Sequence, residues 1–174
     1  MKMQFTYNIF LIGFMGSGKS TVADYLCEKF DMDVVEMDQV IAERERMSIS
    51  DIFEKHGELY FRDLETKLLV ELQEKSNTVV SCGGGVAMRE CNVAEMKKNG
   101  KVVLLTAKPE TILERVENNH DRPLLENNKT VAYIAELMEK RREKYEAAAD
   151  MIIETDGKSA QKICEEMIQR LGER

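Results

Sequence analysis

The stretch Gly13-Phe14-Met15-Gly16-Ser17-Gly18-Lys19-Ser20 matches the pattern G-x-x-x-x-G-K-[ST] of phosphate-binding loops in full. In such a loop the glycines let successive backbone N–H groups point at phosphate oxygens, and the following helix contributes its positive end. Lys19 is then expected to reach the β- and γ-phosphates, and the Ser20 hydroxyl to bind Mg²⁺. The alternative is a glycine turn that carries a lysine by chance.

The residues on either side of this loop predict the strand and the helix that a phosphate site requires. The apolar run Tyr7–Ile12 is typical of a buried parallel strand. After the loop, residues 21–30 have apolar side chains at helical spacing, namely Val22, Ala23, Leu26 and Phe30. A strand, a glycine-rich loop and a helix in this order favour nucleotide binding over a chance match.

Apolar runs and amphipathic segments alternate along the rest of the chain. The predicted strands are 7–12, 33–37, 78–81, 101–106 and 151–153. The predicted helices are 21–30, 39–46, 50–55, 58–74, 90–98, 110–117, 130–149 and 159–171. This alternation predicts an α/β fold of the P-loop type, a doubly wound, five-stranded parallel sheet flanked by helices. Ligands of such folds bind beyond the carboxyl ends of the strands, where the glycine-rich and acidic motifs of this chain fall.

Length, composition and charge limit the possible functions. With 174 residues, 43% of them hydrophobic and 33% charged, the chain is expected to form one soluble domain with its own core. A net charge of −7 argues against a nucleic-acid surface. Neither a membrane-length apolar run nor a signal-peptide pattern is found, so a cytoplasmic protein without a membrane partner is expected.

The four cysteines are scattered and form no C-x-x-C pair, so we expect small core side chains rather than metal ligands; they are Cys27, Cys82, Cys91 and Cys164.

Further motifs follow the phosphate-binding loop in a fixed order. They are Asp38 after the second strand, Phe61-Arg62-Asp63 in the long helix, Gly83-Gly84-Gly85 after the third strand, Arg122-Pro123-Leu124-Leu125 in a polar stretch, and Arg141 four residues before Tyr145. With these motifs the chain resembles the shikimate kinase family almost from end to end. The resemblance implies a monomeric, ATP- and Mg²⁺-dependent enzyme that phosphorylates the 3-hydroxyl of shikimate. It also implies a single domain over residues 1–174, with a substrate-binding region at about 38–65 and a mobile lid at about 118–129.

The resemblance also implies roles for the residues that face the acceptor. Arg62 and Arg141 would bind the shikimate carboxylate through two-pronged hydrogen bonds. Asp38 would orient or deprotonate the attacking hydroxyl. Without a Cβ in the way, the backbone N–H groups of Gly83, Gly84 and Gly85 would approach the substrate closely.

On the nucleotide side the resemblance implies eight binding residues, which are Gly16, Ser17, Gly18, Lys19, Ser20, Thr21, Arg115 and Arg122. Arg122 would lie on the lid over the phosphates and act in catalysis together with Lys19 and Asp38, and Arg115 would lie near the adenine.

Two positions depart from the family pattern. Glu36 stands where an aspartate usually helps to hold Mg²⁺ through water, and Arg142-Glu143-Lys144 lacks the usual proline, which predicts an uninterrupted helix.

Simpler interpretations of single residues stay open from the sequence. Asp38 would also serve as the N-cap of the next helix. Arg62 and Arg141 lie on long polar helices, where arginines are usually solvated or in surface ion pairs.

Other functions are also open from the sequence. A gluconate or nucleoside-monophosphate kinase would share the fold, and Phe53, Tyr60 and Phe61 would offer a slot for a nucleotide base. A non-catalytic ATP-binding module is the alternative from another class, although the intact Lys19 and Ser20 argue against it. A switch GTPase is disfavoured because Asn127-Asn128-Lys129-Thr130 lacks the aspartate of the N-K-x-D guanine motif.

Overall fold

The computed structural model of the chain describes residues 5–117 and 130–172. Its five strands are β1 (Asn8–Ile12), β2 (Asp33–Glu36), β3 (Thr78–Ser81), β4 (Gly100–Thr106) and β5 (Met151–Glu154). They form one parallel sheet in the order β2-β3-β1-β4-β5. The helices of the described residues are α1 (Lys19–Phe30), α2 (Met37–Glu45), α3 (Ile49–His56), α4 (Glu58–Glu71), α5 (Glu90–Lys98), α6 (Pro109–Val116), α7 (Val131–Ala148) and α8 (Ala160–Gly172). The predicted fold class is confirmed.

Helices cover both faces of the sheet because its central strand is apolar on both sides. All five residues of β1 are buried. Phe10 and Ile12 pack in one core layer with residues of α2, α3, α4 and α7, whereas Ile9 and Leu11 pack in the opposite layer with α1 and α8. Successive side chains of a strand point to opposite faces, so a continuous apolar run supplies two cores at once.

The strand order brings the predicted motifs together. The phosphate-binding loop follows β1, Asp38 follows β2, and the triple glycine follows β3. Because β3 lies between β1 and β2 and all three run parallel, these motifs meet at one edge of the sheet. This edge is where ligands of doubly wound folds bind.

Several helix ends differ from the predictions by one to three residues. Helix α2 begins at Met37, so Asp38 lies in its first turn and Glu36 occupies the N-cap position. The predicted helix 58–74 ends at Glu71 and continues as a 3-10 turn over Leu72–Glu74. Helix α7 runs without interruption through residues 142–144, as the missing proline predicts.

The prediction for the cysteines is half wrong. Cys82 and Cys164 are buried, but Cys27 and Cys91 are exposed. Cys27 and Cys91 lie on helices, and the apolar residues of each helix determine which of its faces packs against the core. Over residues 5–117 and 130–172, no helix combines the length and the apolarity that a membrane crossing needs.

Candidate active site

The phosphate-binding loop joins β1 to α1 and is held by its own lysine. The Lys19 ammonium donates hydrogen bonds to the carbonyl oxygens of Gly13 at 2.6 Å and Phe14 at 3.2 Å. Gly16 and Gly18 have φ angles of 81° and 103°, which side chains with a Cβ rarely adopt. The loop backbone therefore depends on glycine at these positions, and Lys19 lies where a phosphate would meet it.

A cavity of about 700 Å³ opens over this loop. It reaches from the loop and the first turn of α1 to Asp38 and the triple glycine, and its lining includes Ser20, Thr21, Glu36 and Arg115. Arg115, on α6, donates hydrogen bonds to the Gly16 carbonyl oxygen at 2.9 Å and to the Thr155 hydroxyl at 3.2 Å. The cavity is large enough for a nucleotide and a small acceptor together.

One acidic side chain faces Ser20 at the edge of this cavity. Burial raises the pKa of Glu36, and hydrogen bonding to the side chains of Ser20 and Ser81 opposes the rise. A carboxylate and a hydroxyl side by side near bound phosphate are hard oxygen donors of the kind that Mg²⁺ prefers.

Each glycine of the triple glycine lies against a different polar side chain. A Cβ at Gly83 would lie 2.8 Å from Oε2 of Glu65 and 2.9 Å from Oδ1 of Asp38. A Cβ at Gly84 would lie 3.0 Å from Nη1 of Arg141. At Gly85 it would lie 2.5 Å from the guanidinium carbon of Arg62. The three glycines thus form a wall to which two carboxylates and two guanidinium groups converge.

Arg62 is held at this wall by charge on two sides and by aromatic rings beneath it. It donates from Nη1 to Glu65 at 2.9 Å and from Nη2 to Glu58 at 3.1 Å. Its guanidinium carbon lies 5.9 Å from the centre of the Phe53 ring and 5.4 Å from that of Phe61. These contacts fix the orientation of the guanidinium group before any ligand binds.

The positions of the aromatic side chains argue against the nucleoside-monophosphate kinase alternative, which requires an apolar slot for the base. Phe61 is buried, and its ring packs against that of Phe53 at a centre distance of 5.1 Å. Tyr60 instead faces the outer surface, where its hydroxyl donates to Glu45 and its ring stacks on His56. The three side chains therefore support Arg62 and the surface, and they leave no apolar slot.

Arg141 approaches the wall from helix α7. Its guanidinium carbon lies 5.8 Å from the centre of the Phe14 ring. Its Nη1 is buried and has no hydrogen-bond partner among the residues that the structure describes. Tyr145, one turn further along, donates from its hydroxyl to the Gly84 carbonyl oxygen at 2.5 Å. A buried guanidinium nitrogen without a partner is costly unless an anion binds it.

The neighbouring Arg142 lies on the other side of the helix from Arg141. It points away from the wall and pairs with Glu139 at 3.0 Å and Glu146 at 3.8 Å at the exposed surface. Arg141 and Tyr145 share the opposite face of the helix because residues four apart stack on the same side.

Glu65 is the residue of this site that the sequence analysis missed. Its side chain is fully buried, it accepts a hydrogen bond from Arg62, and its Oε2 has no hydrogen-bond partner among the described residues. Burial raises the pKa of Glu65 to about 7, although the charge of Arg62 opposes the rise. The spacing places Glu65 on the same face of α4 as Arg62, three residues further on, but it does not indicate that the carboxylate is buried.

The structure brings most of the predicted site residues to one cavity. The predicted residues that line it are Gly16, Gly18, Lys19, Ser20, Thr21, Glu36, Asp38, Gly83, Gly84 and Arg115. Arg62, Gly85 and Arg141 lie beside it at the wall of three glycines, whereas Ser17 is buried within the loop. Arg122 and the predicted lid, residues 118–129, lie outside the described residues.

Comparisons with known proteins agree with this geometry. The family model for shikimate kinase matches residues 15–172. A shikimate kinase of Persephonella marina is 45% identical over 94% of this chain and 98% of its own length. Among solved structures, shikimate kinase from Acinetobacter baumannii in complex with shikimate superposes with a TM-score of 0.89 at 33% identity, covering 95% of this chain and 92% of the other. The Aquifex aeolicus shikimate kinase gives 0.81 at 38% identity, with coverages of 95% and 96%. The chain belongs to the shikimate kinase family.

Proposed function

We propose that this protein transfers the γ-phosphoryl group of ATP to the 3-hydroxyl of shikimate, giving shikimate 3-phosphate and ADP. Membership of the family and the likeness to a shikimate-bound relative support this activity. The observation that carries it is the convergence of Arg62, Arg141 and Asp38 on the triple glycine, next to the phosphate-binding loop. This arrangement offers positive charge to a carboxylate and an oxygen acceptor to a hydroxyl around the same three glycines.

The two arginines are proposed to bind the shikimate carboxylate. Arg62 is fixed by Glu65 and by its aromatic neighbours, and the buried Nη1 of Arg141 has no hydrogen-bond partner among the described residues. Two guanidinium groups fit a planar carboxylate in a way that ammonium groups do not. The pair would fix one end of the ring and so decide which hydroxyl faces the nucleotide.

Asp38 and Lys19 are proposed to serve the transfer itself. Asp38 would accept the hydrogen bond of the 3-hydroxyl and take its proton as the oxygen attacks the γ-phosphorus. Lys19 would leave its bonds to Gly13 and Phe14 and donate to the phosphate oxygens, on which negative charge is concentrated. Phosphoryl transfer depends mainly on such positioning and charge stabilisation, and ADP is the leaving group.

Ser20 and Glu36 are proposed to hold Mg²⁺ together with the nucleotide phosphates. Mg²⁺ usually takes one or two protein oxygens and completes its shell with phosphate and water. The adjacent hydroxyl and carboxylate at the cavity edge fit that donor set. When bound, the metal neutralises phosphate charge. Glu36→Gln should therefore raise the Mg²⁺ concentration needed for half-maximal activity.

We propose a cytoplasmic monomer, because residues of a single chain supply both the phosphate-binding loop and the acceptor wall. Sedimentation or light scattering at assay concentration would test the monomer, and cell fractionation would test the location.

A substrate panel tests the function directly. ADP formation would be followed with ATP and Mg²⁺ in the presence of shikimate, gluconate or a nucleoside monophosphate in turn, and the phosphorylated product identified by mass. Of the three acceptors, only shikimate is expected to be phosphorylated. Lys19→Ala serves as the control for contaminating kinases, because loss of its charge should reduce turnover by about two to three powers of ten. Turnover with another acceptor and none with shikimate would reject the proposal.

A further inference from the structure

A buried amide connects the two elements that meet at Arg62. Asn92, on α5, is 1% exposed. Its Nδ2 donates to the Val86 carbonyl oxygen at 2.9 Å, and its Oδ1 accepts from the Thr66 hydroxyl at 2.7 Å. The Val86 carbonyl oxygen can only accept, so it fixes the NH2 end of the amide on its side and leaves Oδ1 facing Thr66.

Of the two partners of Asn92, one lies close to Arg62 and the other directly follows the wall of three glycines. Thr66 lies on α4 one turn after Arg62, and its hydroxyl oxygen is 3.2 Å from the Arg62 carbonyl oxygen. Val86 follows Gly85, against which the Arg62 guanidinium lies. The Asn92 side chain therefore ties the backbone that carries Arg62 to the backbone that carries Gly85.

A second side chain strengthens the same connection from the surface. Arg89, which precedes α5, donates from Nη1 to Asp63 at 2.9 Å and to the Thr66 hydroxyl oxygen at 3.2 Å. The Thr66 hydroxyl has one proton and two acceptors within reach, Oδ1 of Asn92 at 2.7 Å and the Arg62 carbonyl oxygen at 3.2 Å, and the contact to Asn92 is the shorter. Asn92, Thr66 and Arg89 thus form one connected hydrogen-bonded network.

We propose that Asn92 is a positioning residue for the acceptor: it holds α4 and the turn after the triple glycine at the separation that orients Arg62 toward the shikimate carboxylate. This role rests on the proposed function, because it concerns the same acceptor. Asn92 itself does not line the cavity over the phosphate-binding loop. Its influence is therefore expected on acceptor binding and not on the nucleotide.

The chain offers a matched control at the other end of the sheet. Asn8 is also fully buried, and its Nδ2 donates to the carbonyl oxygens of Leu72 at 3.2 Å and Lys75 at 3.1 Å. Its Oδ1 accepts from the Thr78 backbone N–H at 3.3 Å. Asn8 opens β1 and Thr78 opens β3, so this network lies at the amino ends of the strands, away from the site. Loss of either amide leaves buried polar groups without partners.

The experiment compares Asn92→Ala with Asn8→Ala by steady-state kinetics and thermal unfolding. Both variants should unfold at lower temperature than the wild type. Asn92→Ala should raise the KM for shikimate about tenfold, which corresponds to about 1.4 kcal/mol. Its KM for ATP, and its kcat at saturating shikimate, should change less than about twofold, which is below about 0.4 kcal/mol. Asn8→Ala should leave both KM values unchanged.

Thr66 provides a second arm that does not remove the amide, in case Asn92→Ala does not fold. Thr66→Val keeps the shape but lacks the hydroxyl proton, so it should raise the KM for shikimate in the same way. Thr66→Ser keeps the hydroxyl and should restore a nearly normal KM. This pair separates the hydrogen bond from the packing of the side chain.

Each outcome decides between the roles. If Asn92→Ala or Thr66→Val raises both KM values equally, or behaves like Asn8→Ala, Asn92 serves only the fold and the positioning role is wrong. If the wild type does not phosphorylate shikimate at all, the proposed function fails and the positioning role fails with it. Normal wild-type turnover with an unchanged KM in both variants rejects the positioning role alone.

Discussion

Glu65 accepts a hydrogen bond from Nη1 of Arg62 at 2.9 Å, and its side chain has no exposed surface while 14% of the Arg62 side chain is exposed. The Glu65 carboxylate therefore lies deeper in the protein than the Arg62 guanidinium group with which it pairs. Burial raises the pKa of Glu65 to about 7, and Arg62 opposes that rise. Glu65 thus changes its charge near neutral pH, directly below the group proposed to bind the acceptor carboxylate.

Glu65 is expected to make the stability of the protein depend on pH. An acid whose pKa is raised on folding binds a proton in the folded state that the unfolded state has already lost, so stability falls as the pH rises from the unfolded to the folded pKa. For Glu65 this interval runs from 4.5 to about 7. Glu65→Gln cannot lose a proton, so its unfolding free energy relative to the wild type should increase by about 3 kcal/mol across that interval.

Urea unfolding of both proteins at several pH values measures this difference. The other titrating groups contribute to both proteins and largely cancel. A difference that stays constant between pH 4.5 and 7, or one that changes in the opposite direction, would mean that Glu65 is ionised throughout and that its pairing with Arg62 outweighs its burial.

Gly85 tests how closely Arg62 must approach the wall. Its φ of −97° and ψ of −1° are accessible to alanine, so Gly85→Ala introduces no backbone strain. The added methyl group would lie 2.5 Å from the guanidinium carbon of Arg62 and must displace that flexible side chain. We expect at least a tenfold rise in the KM for shikimate, about 1.4 kcal/mol, with the KM for ATP unchanged.

Gly172→Ala is the matched control, because among the described residues nothing beyond its own helix backbone and chain neighbours lies within 4 Å of a Cβ at that position. It should leave all kinetic constants unchanged. If Gly85→Ala behaved like Gly172→Ala, the contact between the wall and Arg62 would have no part in acceptor binding.

The two arginines of the site can be tested for shape as distinct from charge. Arg62→Lys and Arg141→Lys keep the positive charge but lose the planar fork, so each should raise the KM for shikimate far more than the KM for ATP, by about one to two powers of ten. Arg142→Lys changes the adjacent residue, which pairs with Glu139 at the surface, and should have no effect. Equal changes in both KM values would assign the two arginines to the fold or the nucleotide instead.

The sequence was sufficient for the features that depend on local pattern and chain order. The phosphate-binding loop, Asp38 and the triple glycine each follow an apolar run, and parallel strands place such segments at one edge of the sheet. The side of α7 that carries Arg141 also followed from spacing alone, since Tyr145 lies one turn away. For these residues, secondary structure already determines position.

What the sequence did not predict depends on contacts between distant segments. A glutamate on the long polar helix α4 is ordinarily solvated, but Glu65 is fully buried and lies against Gly83 from a distant part of the chain. Likewise, Phe53 and Phe61 became a support for Arg62 because α3 packs against α4. The link from Thr66 to Asn92 joins residues 26 positions apart, which no local pattern indicates.

Asp38→Asn separates catalysis from helix capping. Asp38 lies within the first turn of α2, and the N-cap position belongs to Glu36, so capping does not explain this aspartate. An amide keeps its volume but cannot take the proton of the attacking hydroxyl, so kcat should fall by about two to four powers of ten. The KM for ATP should change by less than about twofold, or about 0.4 kcal/mol in binding free energy, because the phosphate-binding loop is untouched.

The charge that Asp38→Asn removes near the helix N-terminus should change stability by only about 0.3–1 kcal/mol. Asp51→Asn removes the corresponding exposed acid from the first turn of α3 and controls for that electrostatic effect. Turnover of Asp38→Asn close to that of Asp51→Asn, measured at saturating ATP and shikimate, would show that the carboxylate only stabilises its helix and that the proton of the 3-hydroxyl leaves by another route.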